Sequence, residues 1–246
     1  MSYKPTTVIR SDITNIDFYF PLNALKVNKK GKITKADTSS YSHSLWKKLK
    51  KKIKPRTSYD NIKLPFDIND MVVGSFDPGT VSAQIRVEHL YNGECHELYY
   101  TENWSMEENK YKYINIYNAL MAVDLTNVEV IVIESQINPN MFFVEHMAVG
   151  IFVGRGVPCM IVQPRLKSYI FDLPTGDELK PASIEKTIDI LTNENDTATL
   201  EIYDSLVGDS RVGTEKLCSD ITDPALQVRA THVQLCNYCV QIMGAE

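Results

Sequence analysis

The chain has 246 residues, 43% of them hydrophobic and 23% charged, with a formal net charge of -5. That suits one or two domains with an ordinary core, and no apolar run reaches the roughly 18 residues of a membrane span. The N-terminus lacks a signal-peptide pattern, and five cysteines, an odd number, fit a reducing compartment, so the expectation is an intracellular and not a secreted protein.

The charge is uneven along the chain. Residues 1–70 carry 15 Lys/Arg against 6 Asp/Glu, and residues 71–246 carry 11 against 25. A basic arm on an acidic body points to a polyanionic partner reached through the arm. Residues 1–67 read as irregular, with a basic loop or hairpin around Gly31. Between Trp46 and Arg56, Lys47, Lys48, Lys50, Lys51, Lys52 and Lys54 surround Trp46, Leu49 and Ile53 at helical spacing. This reads as a phosphate-binding helix or a nuclear localisation signal, against the plainer alternative of a solvated amphipathic face. The expected division is a basic extension over 1–68 and a folded domain over 69–246.

From Asp70 the texture changes. Runs at 71–77, 82–90 and 95–101 read as strands, and short connections, including Tyr91-Asn-Gly93, favour an antiparallel meander. The second run alternates Ala83, Ile85 and Val87 with Gln84, Arg86 and Glu88. A helix is predicted over 107–124 and an apolar strand over 128–134. Asn138-Pro139 reads as a cap and first residue of a helix reaching Gly154 or Gly156, followed by a strand over 157–163. Residues 164–219 read as mixed and polar, with one helix near 181–192, and a last helix spans 224–243. This order implies a mixed sheet covered by helices.

Four acidic residues, at three places in the chain, stand out against this background. Asp77 ends the apolar run Met71–Asp77 just before Pro78-Gly79, and Glu134 ends Val130-Ile-Val-Ile-Glu134. Asp220 and Asp223 precede the last apolar-periodic segment. A carboxylate in an apolar strand needs a partner, and acids converging from two strand ends and a helix can hold divalent metal. The plainer alternatives are an ordinary turn at Asp77-Pro78-Gly79, an ion pair for Glu134, and an N-cap role for Asp223 before Pro224. His232, Cys236 and Cys239 share a helical face and could ligate zinc with Cys218 or Cys159, but a core role for the cysteines is the favoured reading. Gly150 and Gly154 would admit a close backbone, and packing on the sheet is favoured over a dimer contact. Walker, dinucleotide and Gly-x-Ser-x-Gly motifs are absent, so neither a cofactor site nor a small-molecule substrate is expected.

The ordered motifs resemble those of RuvC-like Holliday junction resolvases, within the ribonuclease H-like superfamily, and above all the branch found in poxviruses and other large DNA viruses. Ser75-Phe-Asp-Pro-Gly-Thr80 with Arg86-Val-Glu88 resembles the first motif and Ile133-Glu-Ser-Gln136 the second. Val162-Gln-Pro-Arg-Leu-Lys167 resembles the segment after the fifth strand, and Ser219-Asp-Ile-Thr-Asp-Pro-Ala-Leu226 the closing motif. The resemblance covers about residues 70–243. It implies an α/β fold with a five-stranded mixed sheet, and a homodimeric endonuclease acting on branched DNA with two magnesium or manganese ions. It makes Asp77, Glu134, Asp220 and Asp223 the catalytic metal ligands and places Arg165 and Lys167 near phosphate. A viral source would place the protein in the host cytoplasm or nucleus. The chain departs from the family at Pro224, where a small residue is usual, at Val81, and in the few basic residues before Asp220. Two other readings follow from the same residues: an inactive scaffold or nucleic-acid-binding subunit, and a nuclease of the same fold acting on flaps or hybrids.

Overall fold

The computed structural model describes residues 6–10, 16–21, 66–79, 82–105, 112–136, 138–208 and 214–243. In chain order the strands are β1 (Thr6–Arg10), β2 (Ile16–Pro21), β3 (Asp70–Asp77), β4 (Ser82–Tyr91), β5 (Glu94–Ser105), β6 (Val130–Glu134) and β7 (Cys159–Val162). The helices are α1 (Lys112–Ala122), α2 (Pro139–Gly154), α3 (Arg165–Phe171), α4 (Leu179–Asn193), α5 (Thr197–Gly208) and α6 (Thr214–Met243). None of the described helices is long and apolar enough to cross a membrane.

The strands form one sheet in the order β1-β2-β7-β6-β3-β4-β5. β3, β4 and β5 are a meander of antiparallel neighbours, while β6 lies parallel to both β3 and β7. These five are the expected mixed sheet, flanked by helices. Asn92 and Gly93 turn the β4–β5 hairpin with φ of 51° and 89°. Two positive φ values make a turn whose twist matches the flanking strands.

The sheet is wider than expected. β1 and β2 pair with each other, and β2 pairs antiparallel with β7, so the irregular reading of residues 1–67 fails at these two strands. Thr-Thr-Val-Ile and Ile-Asp-Phe-Tyr-Phe are β-branched and aromatic, as strands prefer, but a polar setting hid them. The basic run and its six lysines lie outside the described residues. The segment 164–219, read as holding one helix, contains α3, α4, α5 and the start of α6. The last helix starts at Thr214, ten residues before the expected 224, and contains Pro224 in its interior. Gly150 and Gly154 do not approach the sheet, since a Cβ at either would meet nothing within 4 Å.

Each face of the sheet buries its own core. Phe76, Ile85, Val87, Ile131 and Ile133 pack with Val144, Ala148 and Phe152 of α2. On the other face Val73, Val130, Val132 and Met160 pack with Leu166 of α3 and Val228 and Leu235 of α6. The polar side of β4 points to this second face and is also buried, with Gln84, Arg86 and Glu88 all at 1% exposure or less. Charges there need partners. Arg86 pairs with Glu88 at 2.9 Å and with Asp196, and donates to Thr199 Oγ1 at 2.7 Å. Arg229 of α6 pairs with Glu88 and Glu194. This network ties β4 to α6 and to the α4–α5 connection.

Burial would raise the Glu88 carboxyl, but Arg229 and Arg86 outweigh it and hold the group down at about 2. A depressed carboxyl contributes stability above its unfolded value and loses it as pH falls. Stability from Glu88 should therefore be present above about pH 4.5 and decline toward pH 2. Glu88→Gln should destabilise the protein by about 3 kcal/mol at pH 7, near the lower limit for breaking a buried pair, because Asp196 and Glu194 still face the arginines. Urea titrations from pH 2 to 7 should show the gap between the two proteins closing at the acid end.

Candidate active site

Asp77 is placed by three local facts. β3 is buried along most of its length and delivers its last side chain to the α3–α6 face of the sheet, the face also reached by Val73 and Ser75. Pro78 supplies no N–H to continue the ladder. Gly79 then lets the chain double back, since a Cβ there would meet the Ser82 carbonyl oxygen at 1.6 Å. Glu134 ends β6, the parallel neighbour of β3, one step beyond the Phe76–Ile133 pair. It lies in step with Asp77 and shares the face of Val130 and Val132.

α6 brings the other two acids. Asp220 and Asp223 are three residues apart and so share one side of the helix. Asp223 is not the N-cap that the sequence suggested: it lies nine residues after the start of α6, and Pro224 follows it within the helix. Ser82, at the start of β4, donates its hydroxyl to Asp220 Oδ2 at 2.6 Å.

Lys167 links the two sources. It rises from α3, directly after β7, and its Nζ lies 2.8 Å from Glu134 Oε2 and 2.8 Å from Asp223 Oδ1. Burial alone would favour the neutral amine, but Glu134, Asp223 and Asp77 together push the Lys167 pKa upward, keeping it an ammonium. Asp77 has the reverse problem. Burial, then the charges of Glu134 and Asp223, push its carboxyl well above the ordinary range; Lys167 counters them and Asp220 adds a further upward push. Three acids thus act on one ammonium, and a fourth, Asp220, adds its charge at Asp77. Arg165, at the first position of α3, is exposed.

The donor set fits a hard divalent cation. Carboxylate oxygens are the ligands magnesium and manganese take. Two further oxygens on the same face of the sheet, Ser75 Oγ and Gln84 Oε1, are buried with no hydrogen-bond partner, and Gln84 stands opposite Asp77 in the β3–β4 ladder. Such atoms call for a water or a ligand. Among the described residues no three Asp, Glu, His or Cys side chains already stand as a metal-binding set. The geometry accounts for this, because the Lys167 ammonium lies between Glu134 and Asp223.

Sequence reasoning missed Gln227. It lies four residues after Asp223 on the same side of α6, and that spacing was the available signal. Its amide orientation is assigned from its partners: with the oxygen toward the Glu134 N–H, Gln227 accepts there at 2.9 Å and donates from its nitrogen to Glu134 Oε2 at 3.3 Å. His232 packs against the hairpin turn, where a Cβ on Gly93 would come within 2.6 Å of its ring, and Cys236 Sγ lies 3.5 Å from His232 Nε2.

No family model matches the chain, and no curated protein matches its sequence. Among solved structures, Thermus thermophilus RuvC is 16% identical with a TM-score of 0.44, over 68% of this chain and 96% of that one. The same protein in complex with a Holliday junction substrate aligns over the same shares with 16% identity and a TM-score of 0.42. The Aquifex aeolicus PPX-GPPA enzyme is 16% identical over 44% of this chain and 43% of that one, with a TM-score of 0.29.

Removing the ammonium would leave Glu134 and Asp223 facing each other without a counter-charge. Lys167→Met should therefore lower metal-free stability by about 3 kcal/mol, measured by urea unfolding in the presence of a chelator. An unchanged midpoint would show that the two ion pairs contribute nothing.

Proposed function

We propose that this protein is a magnesium- or manganese-dependent endonuclease that hydrolyses phosphodiester bonds in branched, four-way DNA. One observation carries the reading: Lys167 from α3 bridges a carboxylate at a strand end, Glu134, and one on α6, Asp223, beside Asp77, whose carboxyl is pushed well above the ordinary range by burial and by those neighbouring acids. A metal pair, when bound, supplies an activated water and stabilises the leaving oxygen. Asp77 and Glu134 would hold it from the sheet, and Asp220 and Asp223 from the helix. A cation taken up by these acids competes with Lys167 for Glu134 and Asp223. Ser82 fixes one oxygen of Asp220.

The DNA contacts fall to basic residues: Arg165 beside the site, and Lys47, Lys48, Lys50, Lys51, Lys52 and Lys54 of the N-terminal extension. Branched substrate and a homodimer follow from the motif resemblance.

A second reading has its own support. Lys167 already neutralises two of the acids, as it would in an inactive nucleic-acid-binding relative that no longer takes metal.

Cleavage of a labelled four-way junction in manganese separates the two readings. The intact chain should cut it, and Asp77→Asn, Glu134→Gln and Asp223→Asn should each reduce cutting to background while still binding the junction. Binding without cutting by the unaltered chain would support the second reading instead. For the extension, substitution is cleaner than deletion, because β1 and β2 belong to the sheet. Replacing the six lysines with Gln should flatten the plot of log affinity against log salt by up to about 5 units, at roughly 0.9 for each phosphate no longer neutralised. An unchanged slope would assign the DNA contacts elsewhere.

A further inference from the structure

We infer that Gln227 is a positioning residue for Glu134, tying one carboxylate oxygen to the protein so that the other is left for a cation. The inference rests on the reading of Glu134 as a metal-binding acid.

Gln227 is only 2% exposed, so its amide must find partners within the protein. Two buried hydroxyls of α6 find theirs in their own helix: Thr222 donates to the Cys218 carbonyl and Thr231 to the Gln227 carbonyl. Gln227 instead reaches across to β6, and both of its contacts fall on one residue. It accepts from the Glu134 backbone N–H and donates to Glu134 Oε2. Holding main chain and side chain of the same residue restricts the rotation that would swing the carboxylate away. Lys167 donates to the same Oε2 at 2.8 Å. Two donors therefore converge on Oε2, and Oε1 is the oxygen left for a metal. If an arriving cation draws Lys167 away, Gln227 remains as the group that keeps Glu134 in place. Partners of this kind, one step removed from a metal, commonly set its affinity.

The test is manganese binding to the full chain by isothermal titration calorimetry. Gln227→Met keeps the length and removes both polar contacts. It should weaken manganese binding by about 10- to 100-fold and raise by the same factor the manganese needed for half-maximal junction cleavage. Thr187→Val is the control for loss of a buried hydrogen bond alone. Thr187 lies on α4 and bonds only to the Ser183 carbonyl of its own helix, so this variant should lose stability and leave manganese affinity unchanged. Should Gln227→Met fail to fold, Gln227→Asn keeps an amide but is too short to make both contacts, and should show the same weakening. Manganese bound as tightly by the folded variant as by the unaltered chain would overturn the inference alone. Absence of manganese binding by the unaltered chain would overturn it together with the metal reading on which it rests.

Discussion

Negative charge at the end of the sheet is the constraint around which this molecule is arranged. Two like charges about 4 Å apart repel by roughly 4 kcal/mol at the effective dielectric near a protein surface, and here several carboxylates share one corner. Lys167 is the protein's own answer, contacting an acid from the sheet and one from the helix. That contact dictates much else. α3 must leave β7 at once to bring Lys167 inward, and α6 must cross the ends of β3 and β6 to present Asp223. The upward shift of the Asp77 carboxyl, from burial first and then from Glu134 and Asp223, marks what a single ammonium leaves unbalanced.

A second set of charges performs the complementary task of fixing α6. Arg86 and Glu88 stand opposite Ser75 and Val73 in the β3–β4 ladder, so they lie on the face that carries Asp77. Arg229 reaches Glu88 from α6, two residues beyond Gln227. Buried ion clusters add little net stability compared with an apolar core, but they are intolerant of displacement, because moving one member strands its partners. A helix that must hold two acids in a fixed relation to a strand end gains register from such a contact. The apolar core above α3 and α6 supplies the cohesion.

Elements with a clear apolar period were legible in the sequence, while the partners of their buried polar residues were not. β3 and β6 announced themselves as apolar runs ending in acids, and Asn138-Pro139 capped α2 as read, with Asn138 accepting from the Asn140 N–H. α4 was legible near 181–192, but α5 was not, because the turn into it is built on Asp196 and Thr199, buried polar residues that look solvent-facing in a sequence. β4 was legible as a strand, but its alternation did not show that Gln84, Arg86 and Glu88 are buried, with Arg86 and Glu88 in an ion network. Pro224 was taken as a helix start because proline favours the first turn, yet tertiary packing carries the helix straight through it. The pairing of Asp77 with Glu134 was readable from motif order. The place of Lys167 between two acids was not, because a lysine after a strand carries no mark of where its ammonium ends. Gln227 was hidden for the same reason, its role being visible only once β6 and α6 are set side by side.

The central claim is that the acids around Lys167 form a metal site, and diffraction from crystals grown with manganese tests it most directly. Anomalous scattering should place manganese against Asp77, Glu134 and Asp223, with the Lys167 ammonium withdrawn from at least one of its two carboxylates. Lys167 still bridging Glu134 and Asp223 at saturating manganese, with no anomalous peak beside Asp77, would contradict the account.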